Sequence, residues 1–246
     1  EVFRFVRDAA GAPFFLYVPF TIPHAGLDVP ENSMAPYLGQ FEETPSEKQG
    51  RYIAQSTPRA AFAGMVSRLD QDIGRIVDLV DDLGLAERTL IIFSSDNGPH
   101  QEGGADPDFF GSRGGLRGFK RDLYEGGIRV PMIVRWPGVV AQGSETNHVS
   151  AFWDLTPTLL ELAGAPTAPN LDGLSFVPTL RGEVQEAHDY LYWEFHPSYY
   201  HDQIWKQAVR MGDWKGVRLT GPVGSESLTE LYDLASDPAE LRDVAG

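Results

Sequence analysis

The sequence predicts an α/β fold in two parts, a larger one over residues 1–174 and a smaller one over residues 175–246. Three apolar runs are typical of strands buried on both faces, at 14–20, 89–95 and 130–136. A helix predicted at 58–83 separates the first two runs, and a strand–helix–strand unit places its strands parallel. We therefore expect one mostly parallel sheet. Shorter strands predict a small antiparallel sheet after it, at 190–195, 207–219 and 229–234.

The predicted helix has clear signals at both ends and along its length. Thr57-Pro58 is typical of a helix start, because proline suits the first turn, and Gly84 suits the position after the end. Apolar residues recur at spacings of four and three, at Met65, Leu69, Ile73, Ile76, Val80 and Leu83. This spacing predicts one apolar face that packs on the sheet.

Two glycines predict where later elements end or turn. Residues 154–163 form a predicted helix that Gly164 stops, and residues 164–174 are typical of a linker. Gly212-Asp213 is the predicted turn of a hairpin within 207–219. The linker places the boundary between the two predicted parts near residue 174.

The composition argues against several classes of function. The 246 residues include 20 Lys and Arg against 35 Asp and Glu, a formal net charge of −15, which disfavours binding of nucleic acid through bulk charge. The chain has no cysteine, so it contains no disulfide, no cysteine–zinc site and no cysteine nucleophile. The longest apolar run, around 13–22, is too short for a membrane span.

Polar residues follow two of the predicted strands. His24 comes shortly after the first run, and Asp96, Asn97 and His100 come after the second. Ligands bind beyond the carboxyl ends of parallel strands, so we expect these residues at one edge of the sheet. The oxygens of Asp96 and Asn97 suit Ca²⁺ or Mg²⁺, although Asp-Asn-Gly alone also fits a simple turn.

The loop at 111–131 is unusually basic for an acidic chain. It holds five cations, Arg113, Arg117, Lys120, Arg121 and Arg129. One interpretation is an anion-binding loop, in which glycines let the backbone approach a sulfate or phosphate. The other is a surface loop whose cations pair with Asp122 and Glu125.

Several colinear motifs resemble the type I, formylglycine-dependent sulfatases of the alkaline phosphatase superfamily. They are FFLYVPFTIPHAGLDVP at 14–30, SSDNGPH at 94–100, GLRGFKRDLYEGGIRVPMIVRWPG at 115–138, DLTPTLLELAG at 154–164 and ELYDLASDPAE at 230–240. The resemblance covers nearly the whole chain in order. It implies a mixed, mostly parallel sheet sandwiched by helices, followed by the smaller antiparallel sheet.

The resemblance also implies roles for individual residues. Asp96 and Asn97 would bind Ca²⁺, with Mg²⁺ possible, and His24 would hydrogen-bond the sulfate ester oxygens. Lys120 would contact the sulfate and stabilise charge on the leaving oxygen, so His24 and Lys120 are the predicted catalytic and substrate-binding pair. The resemblance assigns no role to His100 and Arg113, but both lie in the loop expected to rim the substrate pocket, so we predict that they bind substrate there. We expect His24, Asp96, Asn97 and Lys120 to converge on one cleft.

Three family motifs are absent from this chain. They are Cys- or Ser-x-Pro-x-Arg, whose first residue becomes formylglycine, an Asp-Asp pair near the N-terminus that binds the metal, and a Gly-Lys-x-His segment. In Ser56-Thr57-Pro58-Arg59 the arginine comes one position too early. We therefore expect a C-terminal fragment, inactive alone, with formylglycine in the missing N-terminal part. No signal peptide opens the sequence, although the family implies a periplasmic or secreted protein.

The expected reaction is hydrolysis of a sulfate ester on a small molecule or a carbohydrate. Two other functions stay open at this point. One is hydrolysis of a phosphoester or phosphonate within the same superfamily, because its metal pair and anion loop would have the same pattern. The other is a non-catalytic binding module.

Overall fold

A computed structural model describes residues 1–166, 168–196, 203–222 and 225–246. The chain divides into two compact units. Unit 1 comprises residues 1–90 and 99–112, and unit 2 comprises residues 91–98 and 113–246. The boundary predicted near residue 174 divides the chain differently and stays a prediction.

Unit 1 is helical. Its helices are α1 (Val2–Ala9), α2 (Glu31–Met34) and α3 (Pro58–Asp82), with 3₁₀ turns at Ala35–Tyr37 and Ala86–Arg88. Leu27, Ala61 and Met65 form its fully buried core. None of the helices in the described ranges is long and apolar enough to cross a membrane.

The predicted strand at 14–20 is wrong. The segment forms no strand in the structure, and the side chains of Phe15 and Tyr17 are exposed. An apolar run indicates a segment that packs against something, but it carries no information about a strand partner. The expected parallel pairing of this segment with 89–95 is therefore not observed.

The long helix α3 confirms the prediction at 58–83. Gly84 follows it with φ +65°, a left-handed conformation that suits glycine. Thr57 occupies the N-cap position but its side chain makes no capping bond. The capping carboxylate is Glu43, which accepts hydrogen bonds from the N–H groups of Arg59 and Ala60, both at 2.9 Å. A residue distant in sequence thus accepts the hydrogen bonds of two N–H groups in the first turn of the helix.

Unit 2 contains a two-stranded and a four-stranded sheet. The first pairs β1 (Ile91–Ser94) with β2 (Met132–Arg135), in register from Ile91↔Arg135 to Ser94↔Met132. This pair is antiparallel, so the predicted parallel arrangement of 89–95 and 130–136 is wrong. The chain between them folds back at the end where β1 stops, since Gly98 N–H donates to Gly127 O at 2.8 Å. That return brings β2 beside β1 in the opposite direction.

Unit 2 also contains three short helices, of which the first lies between β1 and β2 and the other two lie between the two sheets along the chain. They are α4 (Glu125–Ile128), α5 (Leu155–Leu162) and α6 (Val177–Arg181). Helix α5 confirms the helix predicted at 154–163, and Gly164 follows it with φ +63°.

The predicted C-terminal antiparallel sheet is confirmed. It consists of β3 (Leu191–Phe195), β4 (Trp205–Met211), β5 (Trp214–Thr220) and β6 (Ser227–Asp233), which are neighbours in that order. The hairpin between β4 and β5 turns at Gly212-Asp213, where Met211 pairs with Trp214. Apolar residues of its inner face pack with the end of the basic loop, in a cluster of Leu123, Tyr124, Ala208, Val217, Tyr232 and Leu234.

A buried group of charges lies within this unit. The side chain of Lys215, on β5, is fully buried, and its Nζ lies 2.9 Å from both Glu125 Oε1 and Glu240 Oε1. The second oxygen of Glu240 accepts a hydrogen bond from Glu125 N–H at 2.5 Å. Burial raises the pKa of the Glu240 carboxyl, and the attraction of Lys215 opposes that rise. The group ties the start of α4 to the sheet and to the C-terminal segment.

A second polar cluster lies beside it. Glu230 Oε2 accepts hydrogen bonds from the hydroxyls of Tyr124, at 2.6 Å, and Tyr232, at 2.8 Å. Burial and the contact with Glu230 raise the pKa of Tyr232 to about 12. The same two causes raise the pKa of Tyr124 by a larger amount. Arg117 donates to Tyr232 Oη at 2.7 Å and to Glu240 O at 3.1 Å. Both clusters thus hold residues 117–125 against the sheet.

We predict that Lys215→Met destabilises the protein by about 3–5 kcal/mol, because it removes the ammonium group that two buried carboxylates share. The remaining contacts of Glu125, with Arg210 at 3.6 Å and Arg129 at 3.8 Å, are longer. The free energy of unfolding in urea measures the effect. Combining Lys215→Met with Glu125→Gln and Glu240→Gln should restore part of the loss. Arg218→Met is the matched control on the exposed face of the same strand, and it should change stability by less than about 0.5 kcal/mol. Equal losses in the two single variants would contradict the prediction.

Candidate functional site

The predicted metal ligands lie in the loop directly after β1. Asp96 is exposed and Asn97 is half-buried. Ser95 Oγ donates to Asn97 O at 2.8 Å, and Asn97 Nδ2 donates to Gly98 O at 3.0 Å. The amide nitrogen of Asn97 is thus used within the loop, which leaves its Oδ1 as the atom suited to a cation.

The donor set fits a hard cation but is incomplete. One carboxylate and one amide oxygen are ligands that Ca²⁺ or Mg²⁺ prefers, whereas Ca²⁺ takes about six to eight oxygens. In the part of the chain that the structure describes, no group of three or more His, Cys, Asp or Glu side chains could hold a metal ion. Asp96 and Asn97 therefore fit as part of a larger set of ligands.

Three glycines bring this loop into backbone contact with the basic loop. A Cβ on Gly98 would lie 1.9 Å from Gly126 O, and Gly98 N–H donates to Gly127 O. A Cβ on Gly127 would lie 2.2 Å from Asp122 O and 2.5 Å from Phe119 O. These approaches are possible only without side chains. The chain that follows Asp96 and Asn97 is therefore packed, through Gly126 and Gly127, against the turn that carries Lys120.

Lys120 lies in a closed β-turn formed by residues 119–122. Asp122 N–H donates to Phe119 O at 2.8 Å, and Asp122 Oδ2 accepts from Phe119 N–H at 3.1 Å. Arg121 has φ +79°, the value of the third position in a type II turn. Lys120 thus occupies the second position of a turn that two hydrogen bonds close, one from the backbone and one to the side chain of Asp122.

Arg113 packs within its own loop. Its guanidinium carbon lies 4.3 Å from the centre of the Phe119 ring, and its Nη1 donates to Leu116 O at 3.3 Å. These contacts place Arg113 beside the turn of Lys120. Its predicted role in substrate binding stays a prediction.

His24 and His100 lie together in unit 1. Their ring centres are 5.5 Å apart, and the Tyr52 ring lies 6.3 Å from that of His24. His24 Nδ1 is 2.6 Å from Ala25 O, so this nitrogen carries a proton, because a carbonyl only accepts. His100 is almost fully buried, with Nε2 at 3.0 Å from Pro23 O and Nδ1 accepting from Glu102 N–H at 3.2 Å. The ring of His100 thus fixes the segment that carries His24.

The structure brings the predicted residues together in two groups. In unit 2 the loop of Asp96 and Asn97 contacts the loop of Lys120 and Arg113. In unit 1 the ring of His24 lies beside the ring of His100. The predicted convergence of His24, Asp96, Asn97 and Lys120 on one cleft spans both units and stays a prediction.

Sequence reasoning missed the residues that hold the basic loop. The sequence predicts Glu125 and Asp122 as possible partners of loop cations, and Arg129 does lie 3.8 Å from Glu125. Their shorter contacts are with lysines of the distant sheet. Lys215 binds Glu125, and Lys206 Nζ lies 3.1 Å from Asp122 Oδ1. A signal was present, because Lys206 and Lys215 stand at inward positions of strands whose neighbouring inward residues are apolar.

Two family models match the chain and overlap in the basic loop. The model described as Sulfatase matches residues 1–165. The model described as N-sulphoglucosamine sulphohydrolase, C-terminal, matches residues 116–246. Together they cover the whole chain, and they confirm the resemblance seen in the motifs.

Known sulfatases are similar over most of this chain. Arylsulfatase A of Homo sapiens is 36% identical over 220 residues, which cover 80% of this chain and 41% of that protein. Steryl-sulfatase of Rattus norvegicus is 33% identical over 267 residues, which cover 98% of this chain and 42% of that protein. A solved structure of Ps i-CgsB in complex with k-i-k-neocarrahexaose has a TM-score of 0.76 at 29% identity. The match covers 99% of this chain and 49% of that chain. The chain thus spans about half the length of these relatives.

We predict that Gly98→Ala separates the two loops of unit 2, because its Cβ would overlap Gly126 O. Overpacking of this kind costs about 1–3 kcal/mol, which thermal unfolding measures as a lower midpoint. Gly74→Ala is the matched control, since its Cβ would meet nothing within 4 Å in a helix that favours alanine. A midpoint for Gly98→Ala at or above that of Gly74→Ala would contradict the packing described.

Proposed function

Because the chain belongs to the sulfatase family, we propose that it is part of an enzyme that hydrolyses sulfate esters, R–O–SO₃⁻ + H₂O → R–OH + HSO₄⁻. The observation that carries the proposal is the glycine contact between the loop of Asp96 and Asn97 and the turn of Lys120. That contact packs the loop that carries two hard oxygen ligands against the turn that carries a cationic residue, and both kinds of group suit a sulfate ester.

Lys120 acts on the leaving oxygen in this proposal. Negative charge develops on the bridging oxygen as its bond to sulfur breaks, and an ammonium group stabilises it by charge and by a donated hydrogen bond. Lysine suits the role because its charge is compact. A turn closed by Asp122 holds the backbone of Lys120 in place, so little reorganisation accompanies the reaction.

His24 binds the non-bridging sulfate oxygens. Its Nδ1 is committed to Ala25 O, so a protonated ring donates through Nε2. The bond from His100 to Pro23 O fixes the preceding residue, which limits the motion of the ring.

Asp96 and Asn97 would hold Ca²⁺ in this enzyme, with further ligands from outside the chain. When bound, the ion would supply positive charge that neutralises the sulfate oxygens. The nucleophile, formylglycine, is expected in sequence outside these residues, because no Cys-x-Pro-x-Arg or Ser-x-Pro-x-Arg motif occurs here. The proposal therefore concerns a longer enzyme, of which the chain contributes part of the active site.

We predict that the longer enzyme containing this chain hydrolyses 4-nitrophenyl sulfate faster than 4-nitrophenyl phosphate, whereas the isolated 246-residue chain has no sulfatase turnover. The reason is that the isolated chain lacks a nucleophile and most of the metal ligands. Release of 4-nitrophenol measures both reactions. Faster phosphate hydrolysis would instead favour a phosphoester hydrolase, and turnover by the isolated chain would contradict the proposed nucleophile.

We predict that Lys120→Ala in the longer enzyme lowers kcat about 10²–10³-fold with a smaller change in KM, because charge on the leaving oxygen exists mainly in the transition state. Asp96→Ala should remove bound calcium and activity together, as metal analysis of the purified variant would show. Arg218→Ala, on the exposed face of β5, is the control and should retain activity. An effect of Lys120→Ala on KM alone would contradict the role given to Lys120.

A further inference from the structure

We infer that Lys206, on β4, is a positioning residue that holds Lys120 in its working orientation through the turn 119–122. The inference rests on the proposed function, because that function assigns Lys120 to the leaving oxygen. Lys206 belongs to none of the motifs that resemble the family. Its contacts in the folded chain are what indicate a role for it.

The turn that carries Lys120 is strained at its third position. Arg121 has φ +79°, where glycine is the usual residue and a side chain crowds the backbone. A strained residue of this kind persists only where its surroundings hold it, and such residues cluster at functional sites. Something must therefore hold Arg121 in this conformation.

Lys206 makes the two contacts that do so. Its Nζ donates to Arg121 O at 3.3 Å and to Asp122 Oδ1 at 3.1 Å. The other oxygen of Asp122 accepts from Phe119 N–H. One ammonium group thus holds the carbonyl of the strained residue and the carboxylate that closes the turn.

The position of Lys206 makes it a rigid support. The residue is buried, and its strand is hydrogen-bonded on both sides, to β3 and to β5. Phe195 and Leu219, its cross-strand neighbours, are hydrophobic. A buried ammonium group costs free energy unless it is paired, and the contacts with the turn supply such pairing.

Removal of this support should move Lys120. Without the two bonds, Arg121 relaxes toward negative φ, and the rotation changes the direction of the neighbouring Lys120 side chain. A displacement of about 1 Å at a catalytic group can cost about 10²-fold in rate. The effect should be largest for substrates whose leaving oxygen develops the most charge.

The test uses the longer enzyme with two substrates, phenyl sulfate and 4-nitrophenyl sulfate. Phenyl sulfate has the poorer leaving group, phenol. Lys206→Met should lower kcat for phenyl sulfate about tenfold, lower it less for 4-nitrophenyl sulfate, and change KM less than about twofold. Lys206→Arg, which keeps the charge and the donors, should retain kcat within about threefold. Asp122→Asn tests the same contact from the turn and should show the same preference between substrates.

A double variant separates positioning from a merely structural role. In a Lys120→Ala background, Lys206→Met should lower kcat less than about twofold, because the group it positions is already gone. An undiminished loss in that background, or equal losses on both substrates, would overturn the inference. Thermal unfolding confirms that each variant is folded, with Arg218→Met as control. If the unaltered enzyme hydrolyses neither sulfate ester, the proposed function itself is wrong. This result is distinct from the two that overturn only the role of Lys206.

Discussion

The arrangement of unit 2 depends on the ammonium group of Lys215 and the two carboxylates around it. All three side chains are almost completely excluded from water, so each must have a partner of opposite charge nearby. Glu125 meets this requirement where α4 begins beside β4 and β5, near Arg210 and Lys215, and Glu240 meets it where the C-terminal segment returns to Lys215. The ion group therefore fixes three distant parts of the chain against each other.

From α4 this constraint reaches the residues of the proposed site. Glu125 is followed by Gly126 and Gly127, and the backbone of these two glycines packs against both the loop of Asp96 and the turn of Lys120. A change in the position of α4 would thus displace both. In the proposed function the role of the ion group is to fix this geometry, whatever its net effect on stability.

The four-stranded sheet holds the basic loop at two points. Lys215 and Lys206 lie on adjacent strands and face the same side, since both alternate with exposed neighbours. One binds the start of α4 and the other binds the turn of Lys120. Five cations in the loop suggested electrostatic attraction to an anion, and the structure adds that two further cations in the sheet set where the loop lies.

Local signals in the sequence predicted much of this molecule. Periodicity predicted α3, glycine positions predicted its end and the β4–β5 hairpin, and the motif at 94–100 predicted the loop after β1. Pairing over long distances was not predictable in the same way. β2 runs antiparallel to β1, with a hydrogen bond from Gly98 to Gly127 where the chain returns, and Glu43 caps α3. Such contacts involve residue types that are also common in ordinary loops.

The same limit applies to the candidate site. Asp96 and Lys120 stand in motifs and could be named from the sequence, whereas Lys206 and Lys215 act only through partners that are distant along the chain. Nothing in the local sequence of β4 or β5 distinguishes a lysine that supports a loop from one that faces solvent, apart from its inward position.

A crystal structure of the longer enzyme with calcium and inorganic sulfate is the most direct test of the central claim, that Asp96, Asn97 and Lys120 share one sulfate site. The account predicts oxygens of Asp96 and Asn97 at about 2.3–2.6 Å from the calcium ion, and Lys120 Nζ within about 3 Å of a sulfate oxygen. A sulfate bound away from Lys120, or a calcium ion bound without Asp96 and Asn97, would contradict it.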